Sequence, residues 1–589
     1  KTIFDPMMGG GTTLHEAIRM GANVIGVDID PVPVLQTKAS LTLSPLVHKE
    51  SIFLTFFNRL KKNIGHLYGT FCPFCNRDAE IKFLLYGLRR QCHCGEVIFL
   101  DSLLLREGNH SNIEICSDCQ EVFIGTAHQC TSPRGTKLVT KGTRKCEVCK
   151  TRFSEITNEL YRDRYVPLVI VGSCGEHGLF FKNLSDADFE ALKQAEILLR
   201  NADFGDEKDF LIPNGPKSDS LINRGIRSFQ ELFTPRQLLY IKSAIEAIAD
   251  FPTADRLWLG LLVSTSLDFN SFLCGYKGSG LRRPGAIRHV FSHHAYSFPY
   301  TALENNPVFS GNTSGTLNRL FSDRIRKACL WSTRPSEAKL QKGSTIKIPI
   351  EGEVDGGEPA KDWVDLRTGE RKFLIFQADS SNIHIPKKLV DFVVTDPPYF
   401  DNVQYSDLSN FFRVWLRQFL PQDANWNYDQ GSSAVSESGD SADRKYSEVL
   451  TGIWRTCKHA LKTEDGRLVF TFHHWRFTAW AELTISLRRA SFWLVNRYVV
   501  HSENPISVHI MGLKALKHDC ILVLSPNMDI YKMRKWPLPK EIDKSDSYRF
   551  CCGCGSALGW FLMTDLPEDE IRNEWKRLLG GNFNGQAPR

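Results

Sequence analysis

Long hydrophobic runs are absent from this 589-residue sequence. No apolar stretch reaches the roughly 18 residues that a bilayer-spanning helix needs, and no signal peptide opens the chain. The expectation is a cytoplasmic protein without a membrane partner. A strong charge of one sign is also lacking: the formal net charge of +6 permits an acidic partner such as nucleic acid without demanding one. No internal repeat and no nuclease constellation is visible. An initiating Met is missing as well. Lys1 stands four residues ahead of Asp5 and the loop after it. That start reads as a piece of something longer or one half of a split gene, completed by an N-terminal segment or a second subunit.

Cysteine, by contrast, is plentiful. Seventeen of them in a reducing compartment do not make a disulfide framework, so Cys-x2-Cys pairs read first as metal sites. The 42% hydrophobic and 24% charged content is ordinary for a soluble globular protein and selects no special class. The length suggests about three or four domains.

Apolar periodicity alternates strand and helix at both ends of the chain. "KTIF" and "NVIGVD" read as short strands around the helix "TTLHEAIRMG", which ends on Gly21. "SIFLTFFNRLKKNIG" reads as an amphipathic helix leading away. From Cys72 to Cys149 the pattern is short, Cys-punctuated and turn-rich, and "VPLVIVGSC" with "GLFF" suggests a hairpin near 166–181. Helical periodicity dominates from Ser185 to Asp268, with Thr234 and Pro235 as a cap and first-turn pair. Alternation returns over 389–525, where "RLVFTFHH" and "CILVLS" are strands. The predicted fold class is α/β, a doubly wound, Rossmann-like parallel sheet interrupted by a large insertion.

Two loops carry candidate chemistry. "FDPMMGGGTTLHEA" sets Gly9, Gly10 and Gly11 between a strand and a helix, where backbone can approach a ligand and helix N–H groups favour an anion. Seventeen residues past Gly11, the strand "VIGVD" delivers Asp28, placed to take both hydroxyls of a ribose. No Lys follows the glycines, which excludes a nucleoside-triphosphate P-loop. A dinucleotide site and a plain tight turn stay open from this stretch alone.

The second loop is "TDPPYFD", directly after the apolar run "LVDFVV". An amino group on a flat heteroaromatic ring is a poor nucleophile, because its lone pair is delocalised into the ring. A catalyst must accept hydrogen bonds from both N–H bonds and draw the nitrogen toward tetrahedral geometry. Asp396 supplies one acceptor and the Pro397 carbonyl another, Pro397 and Pro398 fix φ, and Tyr399 offers a stacking face.

"DPMMGGGTT" with "VIGVD", joined to "DPPYFDNVQYSDLSNFFRVWL", resembles the S-adenosylmethionine-dependent, adenine-specific DNA methylases that carry a zinc ribbon. The likeness covers 1–45 and 370–525 well and the middle loosely. It implies that Asp5, Met7, Gly9, Gly11, Thr12 and Asp28 bind S-adenosylmethionine, and that Asp379 in "FQADSS" bonds its adenine amino group. Asp396, Pro397, Pro398 and Tyr399 would hold the flipped base. Met7 stands where the family usually has Phe, and a thioether can still pack on the cofactor. Tyr405 and Asp407 are expected at the mouth of the same pocket. His473 and His474 receive no role in proton transfer.

In the insertion, Cys72-x2-Cys75 followed by Cys92-x-Cys94 has spacing suited to one tetrahedral Zn²⁺. Cys116-x2-Cys119 with Cys146-x2-Cys149 offers a second set, with His128 and Cys130 as substitutes. Cys174, His177 and "CCGC" at 551–554 are left unassigned. Residues 134–152 hold seven Lys or Arg (Arg134, Lys137, Lys141, Arg144, Lys145, Lys150, Arg152) against Glu147, a candidate phosphate-binding surface. Arg282 and Arg283 in "LRRPGAIRH" are another.

The expected organisation is a methyltransferase domain split into 1–50 and 346–530, a zinc-ribbon insertion over 51–180, a mainly helical insertion over 181–345 as a candidate target-recognition region, and a tail from 531 to 589. The expected activity is methyl transfer to the N6 of adenine in DNA, suited by resemblance to restriction–modification. RNA amino-methylation, cytosine N4 on DNA, and a non-catalytic zinc-ribbon DNA-binding subunit are the alternatives.

Overall fold

The computed structural model describes residues 1–42, 45–108, 111–125, 128–130, 132–279, 285–292, 295–341, 344–398, 405–427, 440–502, 516–528 and 535–580. The architecture is mixed α/β, and the chain divides into two compact units. One is built from Lys1–Leu43, Leu330–Ser406 and Gln422–Arg589, the other from Ser44–Cys329 and Asp407–Pro421.

The first unit is organised on an eight-stranded sheet. Its strands are β1 (Thr2–Asp5), β2 (Asn23–Asp28), β3 (Lys372–Gln377), β4 (Phe392–Thr395), β5 (Arg467–Phe472), β6 (Trp493–His501) and β7 (His518–Ser525), with the two-residue strand Glu358–Pro359 at one edge. From that edge the order is β3-β2-β1-β4-β5-β7-β6. The neighbours from β3 to β5 are parallel, and β7 runs antiparallel to β5 and β6. The order reverses between β1 and β4, and in such sheets the carboxyl ends of the strands at a reversal form the ligand crevice.

Strand β2 shows why the sheet is covered on both faces. Val24 joins one core cluster with Leu14, Ile18 and Val34, from helices α1 (Thr12–Arg19) and α2 (Pro31–Leu41). Its neighbours Ile25 and Val27 join another with Phe4, Val393 and Leu468. A near-continuous apolar strand is what two covered faces require. Within it Gly26 leaves room for helix packing: a Cβ there would lie 2.5 Å from Leu14 Cδ1, 2.6 Å from Met8 Sδ and 2.9 Å from Ile375 Cδ1. Gly26→Ala is expected to destabilise the unit by about 1–3 kcal/mol. A denaturant midpoint lowered at unchanged slope is the measurement.

The second unit is built on a ten-stranded sheet around one long strand, Asp78–Cys92. Tyr165–Cys174, Thr301–Asn305 and Gly95–Leu100 pair antiparallel with it. Helix Pro235–Ala249 begins with a reciprocal cap between Thr234 and Gln237. It carries Arg236 into the core, where Nε meets Glu304 at 2.6 Å and Tyr86 donates to the same carboxylate at 2.6 Å. Losing either partner would strand a buried charge, the costly case for a buried pair.

The zinc-ribbon segment and the helical segment as far as Cys329 fall in one compact unit, where strand Thr301–Asn305 pairs with strand Asp78–Cys92 across more than two hundred residues of sequence. The C-terminal segment is not an appendage: Phe550, Cys551, Cys554, Ile571 and Trp575 are buried in the first unit's main core. No described helix is long and apolar enough to cross a membrane.

Candidate active site and metal clusters

The loop after β1 is a tight turn. The Gly11 N–H bonds Met8 O at 2.8 Å, and the Met8 N–H bonds Val27 O at 3.1 Å. Gly11 has φ +81, and a Cβ there would lie 2.8 Å from Thr37 Oγ1, so only glycine suits that corner. A Cβ on Gly9, at φ +47, would meet nothing within 4 Å, which leaves open space beside the turn. Helix α1 follows with no side-chain cap on its first N–H groups. Asp28, at the end of β2, accepts from the Gly9 N–H at 3.0 Å and the Asp30 N–H at 2.9 Å. Asp5 accepts from the Met7 N–H at 3.1 Å.

The Asp-Pro-Pro segment leaves the same edge. Strands β1 and β4 are neighbours in parallel register, Ile3 beside Phe392 and Phe4 beside Val393. The Thr395 hydroxyl donates to Asp5 Oδ1 at 2.7 Å, a buried link across 390 residues of sequence. Asp396 is exposed and accepts from the Thr471 hydroxyl; Pro397 is buried, and the Pro398 carbonyl accepts from Tyr446 Oη at 3.2 Å. On the other side of the turn, Ser380 Oγ donates to the Pro6 carbonyl. Asp379 accepts from Ser381 N and from Asn382 Nδ2, each at 2.8 Å. These bonds fix its carboxylate while leaving acceptor capacity for a ligand. Tyr399 lies outside the described residues.

One curated relative shares a short stretch. The Type II methyltransferase M.MjaII of Methanocaldococcus jannaschii is 39% identical over 66 residues, which are 11% of this chain. The shared stretch spans 12% of that relative's length. No family model matches the chain. No solved structure matches it.

Electrostatics single out the two acids beside the glycine turn. Burial pushes the Asp5 carboxyl up to about 6, against the lowering effect of its bonds from Thr395, Met7 and Thr13. Burial likewise pushes Asp28 from 3.8 to about 7. A ligand diol donating to Asp28 binds the ionised form, so binding below that value must expel a proton. Affinity for the S-adenosylmethionine that the sequence resemblance implies is expected to rise up to about tenfold per pH unit below pH 7 and to level off above it. Asp28→Asn should flatten the Asp28 part of that profile; calorimetric titrations of both proteins from pH 5.5 to 8.5 measure it. Parallel profiles for the two would remove Asp28 from the site.

The second unit brings Cys and His together in three tetrads, and their membership corrects the sequence pairing. Cys72 and Cys75 join Cys174 and His177; Cys92 and Cys94 join Cys146 and Cys149; Cys116 and Cys119 join His128 and Cys130. In each, the ligand atoms lie within 4.8 Å of one another. The reason is the long strand: Cys72 and Cys75 precede Asp78–Cys92, and Cys92 and Cys94 sit at its far end. Its 15 residues span about 50 Å at about 3.3 Å each, so the two pairs cannot share an ion. Hairpin pairing of Tyr165–Cys174 with Gly178–Lys182 brings Cys174 and His177 to the near end. Strand Ser154–Glu155, paired with Gln91 and Arg90, carries Cys146 and Cys149 to the far end.

Three of the pairs are the same knuckle. The N–H groups of Cys72, Cys116 and Cys146 bond the carbonyls of Arg77, Glu121 and Thr151, all at 2.9 Å. The residue after each second cysteine is left-handed: Asn76 at φ 56, Gln120 at φ 63 and Lys150 at φ 60. Tetrahedral Zn²⁺ with bonds of about 2.3 Å separates two sulfurs by about 3.8 Å. Cys75 and Cys174 sulfurs are 3.8 Å apart, and those of Cys94 and Cys146 are 3.9 Å apart. The donor sets therefore suit three zinc ions, where the sequence suggested two. The signal for Cys174-x2-His177 was present, but a strand separates it from its partners. Cys551, Cys552 and Cys554 belong to no tetrad among the described residues.

The remaining candidates separate. Lys137 and Lys141 are exposed, with carboxylates of Asp118 at 3.9 Å and Asp101 at 3.7 Å. Arg144 and Lys145 are exposed beside the Cys146 knuckle. Arg282 and Arg283 lie outside the described residues, as does the Tyr405 side chain. Asp407 is buried in the second unit, accepting from Lys217 N at 2.7 Å and Ser218 N at 3.1 Å. His473 pairs with Asp519, and buried His474 accepts from the Arg476 N–H at 3.0 Å.

Proposed function

We propose that this chain is an S-adenosylmethionine-dependent methyltransferase of the Rossmann-like class, acting on the exocyclic amino group of a base in DNA, with adenine N6 as the target. The carrying observation is the bond from Thr395 to Asp5, which ties the glycine turn to the Asp-Pro-Pro segment at the sheet reversal. The β3-β2-β1-β4-β5 order supports it, being that of a doubly wound sheet, and so does the short similarity to a Type II methyltransferase.

When bound, S-adenosylmethionine supplies an electrophilic methyl group. The chain's own part is positioning. Asp28 takes ribose hydroxyls and Asp379 takes the adenine amino group of the cofactor. Asp396 and the Pro397 carbonyl accept the two N–H bonds of the target amine and direct its lone pair. The target base must leave the duplex for this, since a stacked amino group is out of reach. Pro397 and Pro398 hold the acceptors without offering competing donors.

Nucleic-acid binding rests on local rather than global charge. A zinc ion in a Cys₃His set leaves −1 and in a Cys₄ set −2, so three loaded tetrads offset four of the six surplus positive charges. Lys137, beside the Cys116–Cys119 knuckle, Lys141, and Arg144 and Lys145, beside the Cys146 knuckle, are the proposed phosphate contacts.

Incubation with methyl-labelled cofactor and DNA or RNA, followed by nucleoside analysis, is the test. Label in N6-methyladenine from DNA is expected. Label confined to RNA, or in N4-methylcytosine, would replace the substrate. DNA binding without any cofactor binding would make the chain a non-catalytic subunit.

A further inference from the structure

The Asp396-Pro397-Pro398 segment has a problem of its own making. Three residues offer a single backbone N–H, that of Asp396, so the segment can donate at most one main-chain hydrogen bond. Two side chains from separate elements grip it instead. Thr471 on β5 donates its hydroxyl to Asp396 Oδ1, and Tyr446, in helix Asp440–Ala460, donates to the Pro398 carbonyl at 3.2 Å. Both anchors are rigidly seated. Thr471 lies in a strand paired on one flank with β4 through Phe470–Thr395 and on the other with β7 through Ile521. The Tyr446 ring is 1% exposed, inside the main core beside Leu450 and Trp454.

We infer that Thr471 and Tyr446 are positioning residues for methyl transfer, acting through the Asp-Pro-Pro acceptors rather than on substrate; this rests on the proposed methyltransferase reading. With Oδ1 anchored by Thr471, the plane of the Asp396 carboxylate is set, and with it the direction from which it accepts a substrate N–H. With the Pro398 carbonyl anchored by Tyr446, the turn cannot rotate the Pro397 carbonyl away from the second N–H. Neither residue belongs to the cofactor loop, so their loss should separate turnover from cofactor affinity.

The experiment is steady-state kinetics on Thr471→Val, Thr471→Ser and Tyr446→Phe, each nearly the shape of the native side chain. Thr471→Val is expected to lower kcat by about 10–100-fold, because a displacement near 1 Å can cost that much. Its KM and Kd for S-adenosylmethionine should stay within about twofold, since no cofactor contact is touched. Thr471→Ser, which keeps the hydroxyl, should recover to within about threefold of native, and Tyr446→Phe should lose about 3–10-fold in kcat. The Kd measurement also establishes that each variant is folded. With an active native enzyme, native turnover in Thr471→Val, or an equal loss in Thr471→Ser, would overturn the inference and leave the methyltransferase reading standing. A native protein that binds cofactor yet methylates no nucleic acid would overturn both.

Discussion

Asp396→Ala should lower methyl transfer by about a thousandfold while leaving affinity for S-adenosylmethionine within about twofold. The size follows from what the carboxylate does in this arrangement. Removing a preorganised hydrogen-bonding group that acts on the reacting centre costs about 10²–10³ in kcat. Here the same change also leaves Thr471 without its partner on the segment. The retained affinity follows from position. Asp396 extends beyond β4 and is exposed, whereas the glycine turn proposed for the cofactor is held through Thr395, one residue earlier, on Asp5. Asp396→Asn is a stricter probe. It keeps the shape and one acceptor oxygen but turns the other acceptor into a donor facing a donor, so a loss almost as large is expected. Rates under saturating cofactor, with Kd measured separately, decide the matter. Parallel loss of binding and turnover would mean that Asp396 serves the cofactor, and the assignment of the amine acceptors would fall.

What could be read from the sequence was local. The strands "KTIF" and "NVIGVD" and the helix between them follow from periodicity, and the structure has elements at those places. What escaped was set by distant partners. The segment around Asp78–Cys92 reads as turn-rich because its cysteines punctuate it. Its length as a strand is fixed by Tyr165–Cys174 and Thr301–Asn305 lying alongside. Without that length the two cysteine pairs look like neighbours.

Helix Tyr405–Phe419 is a similar case. Its apolar residues are seated by a distant segment: Phe411 stacks on Phe233 at 5.9 Å and Trp415 meets the same ring at 5.1 Å. Asp407, on that helix, is accordingly committed to Lys217 and Ser218 rather than left for a ligand. The terminal helix Glu568–Leu579 did carry a signal, since Ile571, Trp575 and Leu578 recur at helical spacing and are all buried. Only a reading of the segment as an appendage hid it.

Metal content gives the second large effect, and a test that separates the two ways of pairing the cysteines. The intact chain should carry three zinc ions. Cys72→Ser with Cys75→Ser should leave two, and so should Cys92→Ser with Cys94→Ser. If these four thiolates shared one ion, as their spacing in sequence suggests, the fourfold variant would lose one ion, no more than either double variant loses. In the observed tetrads they belong to different ions, so the fourfold variant should hold one. Loss of an ion also carries a structural consequence. A structural zinc contributes an apparent binding free energy of about 10–16 kcal/mol near neutral pH, more than the whole stability of most domains. The three knuckles have short strands and few buried apolar residues of their own, so chelation should render 72–77, 116–121 and 146–151 sensitive to protease while the sheet of the first unit stays resistant. Elemental analysis of the variants, with limited proteolysis before and after chelation, reads both. Two ions in the fourfold variant, or unchanged digestion after complete metal removal, would contradict the tetrads as structural metal sites.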